Sequence, residues 1–335
     1  MKVLLTGAAG FIGSHTSDRL LAEGHAVLGV DNFRTGHRGN LADALRQPAS
    51  FSLVEADVAE AGVLDALCTT FRPEAIIHLA ALVSVQESIA DPALNHRLNV
   101  EATEHVAAAA AAHGVRRIVF ASSAAVYGDA RALPIDEAAP TQPISPYGEA
   151  KLRSESILLN ASSVQREAAA AGAGAATAAA GPVVRCQRYF NVFGPRQDPA
   201  SPYSGVISVF QKCYAQGLAP TIYGDGQQTR DFISVYDVAR ANVLAATGAC
   251  TPSGTAVSSG IANICTGRAT SLLDVVRIFS STFPAVPPPR FAPARSGDIV
   301  HSLGNPARAR ADLGFEAEWP VERALGELIQ GTRRA

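Results

Sequence analysis

The sequence has little of what marks a secreted, metal-binding or nucleic-acid-binding protein. Its five cysteines, Cys68, Cys186, Cys213, Cys250 and Cys265, show neither C-x-x-C nor Cys/His ligand spacing. That argues against a disulfide framework and against structural zinc, and it fits a reducing compartment. No sign of charge dominates, with 28 Lys+Arg against 30 Asp+Glu and a net charge of -2. There is no basic patch for nucleic acid and no charged tail. No apolar stretch approaches the ~20 residues of a membrane span. The first residues lead directly into a strand, with no signal-peptide pattern. The expectation is a cytoplasmic protein without metal, membrane or nucleic-acid partners. Its 335 residues, 47% of them hydrophobic, suffice for one large or two smaller domains.

What is present begins at the N-terminus. Val3-Leu4-Leu5 reads as a short buried strand running into Thr6-Gly7-Ala8-Ala9-Gly10-Phe11-Ile12-Gly13. A helix follows, with Ile12, Thr16 and Leu20 on one face and a stop at Gly24. Val27 to Val30 form a second strand that ends in Asp31. Strand, glycine loop, helix, strand and acid in that order make a dinucleotide-binding unit. Gly7, Gly10 and Gly13 let the backbone approach a pyrophosphate at the helix N-terminus. Asp31 suits a ribose 2'-hydroxyl and repels a 2'-phosphate, which favours NAD over NADP. A glycine-rich turn in some other α/β protein is the alternative.

The alternation continues. Strands are expected at Phe51–Val54, Ala75–Ile77, Ile118–Ala121 and Val183–Arg185, with a long alanine-rich helix over Pro92–His113. Such a pattern calls for a doubly wound parallel sheet of the Rossmann type, α/β in class. Asp57, His78, Ser123 and Asn191 fall just past strand ends and so border one crevice. His78 reads as a packed or backbone-bonded histidine rather than a catalytic base. Ser122-Ser123 ends a strand, and Tyr147 and Lys151 lie at i and i+4 of a helix opening after Pro146. A phenol and an ammonium on one helix face point at one spot. The ammonium charge favours the phenolate, which lowers the pKa of the tyrosine towards the range useful for proton transfer.

Residues 1–190 are therefore expected to form the dinucleotide-binding domain, with an alanine-rich insertion at about 161–181. The insertion reads as a helix end and a surface loop; a lid is the alternative. Beyond residue 190, Pro and Gly become frequent. A smaller mixed α/β lobe over 191–335 is expected, with some segments returning to the first domain. Helices are expected at Val238–Thr247 and Leu272–Ser281. Arg230 and Arg295 are suited to phosphate oxygens, solvated surface arginines being the alternative.

In combination these motifs resemble the extended short-chain dehydrogenase/reductase family, the NAD-dependent epimerases and dehydratases. The resemblance runs from Lys2 to about Leu328. It rests on Thr6-Gly7-x-x-Gly10-Phe11-Ile12-Gly13, His78-Leu79-Ala80-Ala81, Ser122-Ser123-x-x-Val126-Tyr127-Gly128, Tyr147-x-x-x-Lys151 and Arg188 to Arg196. It implies a catalytic set of Ser123, Tyr147 and Lys151. It implies NAD contacts at Phe11, Ile12, Asp31, Asn32, Phe33, Thr35, Gly36, Asp57, Val58, Leu79, Ala80, Ala81, Asn99 and Phe190. It further implies UDP-sugar contacts at Ser84, Asn191, Val206, Tyr223, Arg230, Arg295, Asp298 and Ser302, and a homodimer paired through the helices before His113 and after Pro146.

Within that family the similarity is greatest to bacterial UDP-hexose 4-epimerases, those acting on UDP-N-acetylglucosamine in particular. Arg196-Gln197-Asp198-Pro199, Gly224 to Phe232 and Asp298-x-x-His301-Ser302 carry it. Family dehydratases place Asp-Glu where this chain has Ala124-Ala125, which argues against elimination of water. The small Ser302 is expected to leave room for a 2-N-acetyl group. The chain departs from galactose epimerases at Val83, where many have lysine, and at Ala125, where threonine is common. The resemblance leaves three rivals: a uronic-acid 4-epimerase, a 4-keto-sugar reductase, and a non-catalytic NAD-sensing protein.

Overall fold

A computed structural model describes residues 1–130, 132–170, 181–198, 205–248, 251, 253–255, 257–294 and 299–334. The first half alternates strand and helix: β1 (Lys2–Thr6), α1 (Phe11–Ala22), β2 (Ala26–Asp31), α2 (Ala42–Leu45), β3 (Phe51–Glu55), α3 (Val63–Phe71) and β4 (Ala75–His78). Then follow α4 (Val85–Ala90), α5 (Pro92–Asn95), α6 (Ala102–Ala112), β5 (Arg117–Ser123), α7 (Pro146–Ala170) and β6 (Val183–Tyr189). The second half holds β7 (Asn191–Phe193), α8 (Val206–Ala215), β8 (Thr221–Tyr223), β9 (Thr229–Arg230), β10 (Phe232–Ser234) and α9 (Val235–Thr247). The chain closes with β11 (Gly260–Ile264), β12 (Thr270–Ser271), α10 (Leu272–Thr282), β13 (Arg290–Ala292), α11 (Ala307–Leu313) and α12 (Val321–Arg334).

Seven of these strands form one parallel sheet in the order β11-β6-β5-β4-β1-β2-β3. Side chains alternate between its faces. Val3, Leu5, Val27 and Ile77 enter one core with residues of α1, α9 and α11. Leu4, Leu28, Ile76 and Phe120 enter another with residues of α3, α6 and α7. A sheet covered on both faces needs continuous apolar runs, which is why these strands read so clearly in the sequence. Each such buried side chain contributes roughly 1.5–3 kcal/mol. A third core gathers Phe193, Phe210, Tyr214, Ile222, Val275, Phe279 and Leu325 around three two-stranded pairs, β10-β7, β12-β9 and β13-β8. Strand β11 returns to the large sheet from late in the chain, beside β6.

The helix expected over Pro92–His113 is not regular. Its middle, His96–Glu101, is a π-turn between α5 and α6. The widened turn leaves the Asn99 carbonyl to accept from the hydroxyls of Thr103, at 2.6 Å, and Ser154, at 3.0 Å. Of the alanine-rich insertion, α7 covers the part to Ala170, and residues 171–180 lie outside the described residues. Among the described residues no helix is long and apolar enough to cross a membrane.

Candidate active site

The glycine loop between β1 and α1 is shaped to take an anion. Gly7 has φ +69°, and a Cβ there meets the Ala80 nitrogen at 2.7 Å. A Cβ at Gly13 falls 1.9 Å from the Gly7 carbonyl oxygen, so α1 packs directly on the loop. The N-cap of α1, Gly10, has no side chain to cap the helix, which leaves its first N–H groups to a ligand. Asp31, buried at the end of β2, accepts from Ala9 N and Phe33 N, both at 2.8 Å. Two carboxylate oxygens retain capacity for ribose hydroxyls beyond these two bonds. This cradle fits the adenosine and pyrophosphate of a dinucleotide.

The remaining cofactor candidates fall into two groups. Asn32, Phe33, Thr35 and Gly36 border Asp31; Asn32 Oδ1 accepts from Arg34 N, and a Cβ at Gly36 meets the Asp31 carboxylate. Leu79 and Ala80 donate their N–H groups to Thr6 Oγ1, which fixes the loop through Ala81 beneath the glycine loop. Asp57 accepts from Ala59 N and pairs with Arg97 at 2.9 Å, while Val58 is core. Asn99 is committed to the protein: its side chain grips both backbone groups of Leu82 and donates to Asn95 Oδ1. It shapes the Leu82 loop from behind. Phe190 is buried against Tyr127 and Cys265 and lines the crevice beyond Ser123.

Ser123 ends β5, and its Oγ accepts from Ala125 N at 3.1 Å. The Tyr147 phenol, half-buried in the first turn of α7, faces the Ser123 hydroxyl. One turn on, Lys151 is 2% exposed, and its Nζ lies 4.9 Å from the centre of the Phe120 ring and 5.8 Å from that of Tyr147. The expected pull of the ammonium on the phenol is not what governs Tyr147 here. Burial pushes its pKa up, and the Ser123 hydroxyl draws it down only in part. Burial also lowers Lys151 to about 7, against the raising influence of Glu155. Both groups favour their neutral forms because burial disfavours the charged ones.

His78 is a packed residue, as its setting in the sequence predicts. Its Nδ1 shares a 2.7 Å hydrogen bond with Thr6 Oγ1, and its ring stacks on Phe120. Burial, and secondarily the charge of Lys151, lower it to about 3. A neutral imidazole thus fixes Thr6 and, through it, the loop of Leu79 and Ala80.

Two adjoining cavities open from this point. One, of about 340 Å³, is lined by Ser123, Ala124, Ala125, Phe190, His301 and Ser302, with Tyr189 and Ile144. The other, of about 280 Å³, is lined by Val206, Tyr223, Gln197, Gln228 and Thr221. Asn191 and Arg230 line both. Arg230 Nη1 donates to the Thr229 and Val300 carbonyls, at 2.9 and 3.2 Å. Ser84 lines neither cavity; its Oγ caps α4 by accepting from Glu87 N at 2.9 Å. Arg295 and Asp298 lie outside the described residues.

Several contributors lie within the motifs, but their roles show only in the fold. Asp231, fully buried, accepts from Thr266 N and Oγ1, Gly267 N and Gly304 N, gathering three loops beside Arg230. Arg196 pairs with Asp18 of α1 at 2.7 Å, and His15 Nε2 bonds the Pro195 carbonyl at 3.0 Å. These contacts tie the segment that carries Gln197 to the cofactor helix. Tyr189 gives its hydroxyl to Asn242 Oδ1 at 2.5 Å.

A cradle for a dinucleotide and an adjoining crevice with Ser, Tyr and Lys define a Rossmann fold of the short-chain dehydrogenase/reductase type. Residues 3–258 match the model of the NAD dependent epimerase/dehydratase family, and the chain belongs to that family. A UDP-glucose 4-epimerase of Mycolicibacterium smegmatis is 37% identical over 331 residues, 98% of each chain. The solved UDP-N-acetylglucosamine 4-epimerase of Methanobrevibacter ruminantium, in complex with UDP-N-acetylmuramic acid, is 31% identical. Its TM-score is 0.86, with 98% of this chain and 97% of that one covered. A UDP-glucose-4-epimerase of Stenotrophomonas maltophila with bound NAD and formylated UDP-arabinopyranose has a TM-score of 0.87 at 29% identity, covering 100% and 98%.

Proposed function

We propose that this protein inverts C4 of a UDP-hexose, UDP-GlcNAc/UDP-GalNAc before UDP-Glc/UDP-Gal, with NAD as a resident cofactor. The observation that carries this reading is the pair of cavities meeting at Asn191 and Arg230. One has the size and base-stacking side chain, Tyr223, for a nucleotide. The other is lined by the Ser123 hydroxyl, which the Tyr147 phenol faces. Arg230 at their junction suits a diphosphate. NAD, when bound, accepts a hydride from C4' and returns it.

The protein's own groups do the rest. Ser123 Oγ holds the O4' hydroxyl. Tyr147 Oη takes the O4' proton as C4' is oxidised and gives it back on reduction. Lys151 supplies the positive charge that lets the phenolate form. The 4-keto sugar turns about its link to the diphosphate in a cavity lined by the small side chains of Ala124, Ala125 and Ser302. Alanine at 124 and 125 provides no acid for elimination of water. Ser302 is buried against this cavity and leaves space for a 2-N-acetyl group.

Incubation of the purified protein with UDP-GlcNAc, and separately with UDP-glucose, tests the reading. Products are resolved by anion exchange without added dinucleotide. Formation of UDP-GalNAc is the expected result. Turnover that consumes dinucleotide mole for mole would mark a reductase instead. Conversion of UDP-glucose alone would keep the chemistry and remove the role given to Ser302.

A further inference from the structure

A buried ion pair lies directly behind the catalytic residues, and the chemistry above gives it no task. Glu155 is 1% exposed. Its Oε1 accepts from Arg188 Nε at 2.9 Å and its Oε2 from Arg188 Nη2 at 2.7 Å. Oε1 also accepts from Ser122 Oγ at 2.5 Å. Arg188 in turn lies over the Tyr127 ring, 4.7 Å from its centre. Two full charges out of water are costly to keep merely for stability, since an apolar pair of equal volume often does as well. Their position suggests another use. Glu155 stands one helical turn beyond Lys151 on α7, so the two side chains share a face. Ser122 stands next to Ser123 on β5.

We propose that Glu155 is a positioning residue whose carboxylate serves as the counter-charge of the Lys151 ammonium, held in place by Arg188 and Ser122. The proposal rests on the reading of Lys151 as the cation that charges Tyr147. Lys151 is buried against the Phe120 ring, a setting that favours its neutral amine. The groups that face this region are few. His78, at the end of β4, is neutral and adds no charge. Tyr147 shares the helix. Cys186, on β6, is held as the thiol because burial pushes it well up. Arg188, on β6, is paired with Glu155 and lies over the Tyr127 ring. Glu155 shares the Lys151 face of α7 one turn on, and its charge raises Lys151 against the lowering by burial.

The sign follows from the charges. Phenolate with ammonium is the reactive form of the Tyr147–Lys151 pair, and phenol with amine is its idle isomer. A carboxylate one turn away favours the first. Without it, Lys151 loses its proton at lower pH, and activity fails sooner as pH rises.

This chain offers a direct test, because Lys2, Lys151 and Lys212 are its only lysines. In protein labelled with 13C at lysine Cε, three signals are followed against pH, that of Lys151 being assigned by its loss in Lys151→Arg. In Glu155→Gln the Lys151 midpoint is expected to fall by about one unit or more. The alkaline limb of kcat moves down with it, while KM for the UDP-sugar holds. An unchanged midpoint in the folded variant overturns the proposal. If Glu155→Gln alone does not fold because Arg188 is left unpaired, Glu155→Gln with Arg188→Met removes both charges at similar volume. A fallen midpoint there supports the proposal, and a wild-type midpoint overturns it. The titration needs no turnover, so an absence of epimerase activity would fail the functional reading without deciding this one.

Discussion

Tyr147→Phe is expected to lower kcat by ~10²–10⁴-fold, the usual contribution of a positioned acid–base group, and to leave the cofactor bound. The substitution removes one oxygen. The ring still packs beside Lys151, whose Nζ lies 5.8 Å from its centre, so α7 keeps its place. The phenol faces Ser123, and Ser123 lines the cavity assigned to the sugar. Loss of the hydroxyl therefore removes the proton acceptor at O4' and nothing that touches the dinucleotide cradle around Gly7 and Asp31. Initial rates with UDP-GlcNAc and UDP-glucose, and the dinucleotide released on denaturing the variant, check both halves. Activity within tenfold of wild type would contradict the role of Tyr147.

A second large effect is expected at Ser302. Ser302→Tyr should reduce turnover of UDP-GlcNAc by ~10–200-fold relative to UDP-glucose, the range of discrimination that a few excess or missing carbon atoms give in a closed pocket. Ser302 is buried, its backbone N–H donates to the Thr229 carbonyl at 3.1 Å, and it lines the same cavity as Ser123 and Ala125. A phenol ring there takes up space in a cavity of about 340 Å³. The plain hexose, lacking the acetamido group, still fits. kcat/KM for the two substrates in parallel is the measurement. Equal losses for both would mean that the ring disturbs the fold or blocks the cavity as a whole.

How much of this was legible in the sequence depends on range. The sheet strands carry uninterrupted runs such as Val3-Leu4-Leu5 and Ile118-Val119-Phe120-Ala121, because a parallel strand is buried on both faces. The glycine loop is local, as are the Ser123 strand end and the i, i+4 spacing of Tyr147 and Lys151. The π-turn at His96–Glu101 was not legible, since Asn99 earns its place through the backbone of Leu82 rather than through periodicity. Ser84, expected to touch the sugar, also caps α4 by accepting from Glu87 N, a second role that the sequence did not show. At Tyr147 burial, a property of the folded crevice that the i, i+4 spacing does not disclose, pushes the pKa up. Asp231 draws on residues 35 or more positions away, and strands of two or three residues such as β9 and β12 hold too little pattern to find.

The fate of the hydrogen at C4 tests the central claim most directly. UDP-GlcNAc carrying deuterium at C4 of the sugar is converted in ordinary water and the product examined by NMR. Hydride that leaves and returns within one closed site predicts UDP-GalNAc with its deuterium retained at C4. Deuterium lost to water would mean that a proton, not a hydride, is moved at that carbon. The assignment of Tyr147 and NAD to a transient oxidation would then be wrong.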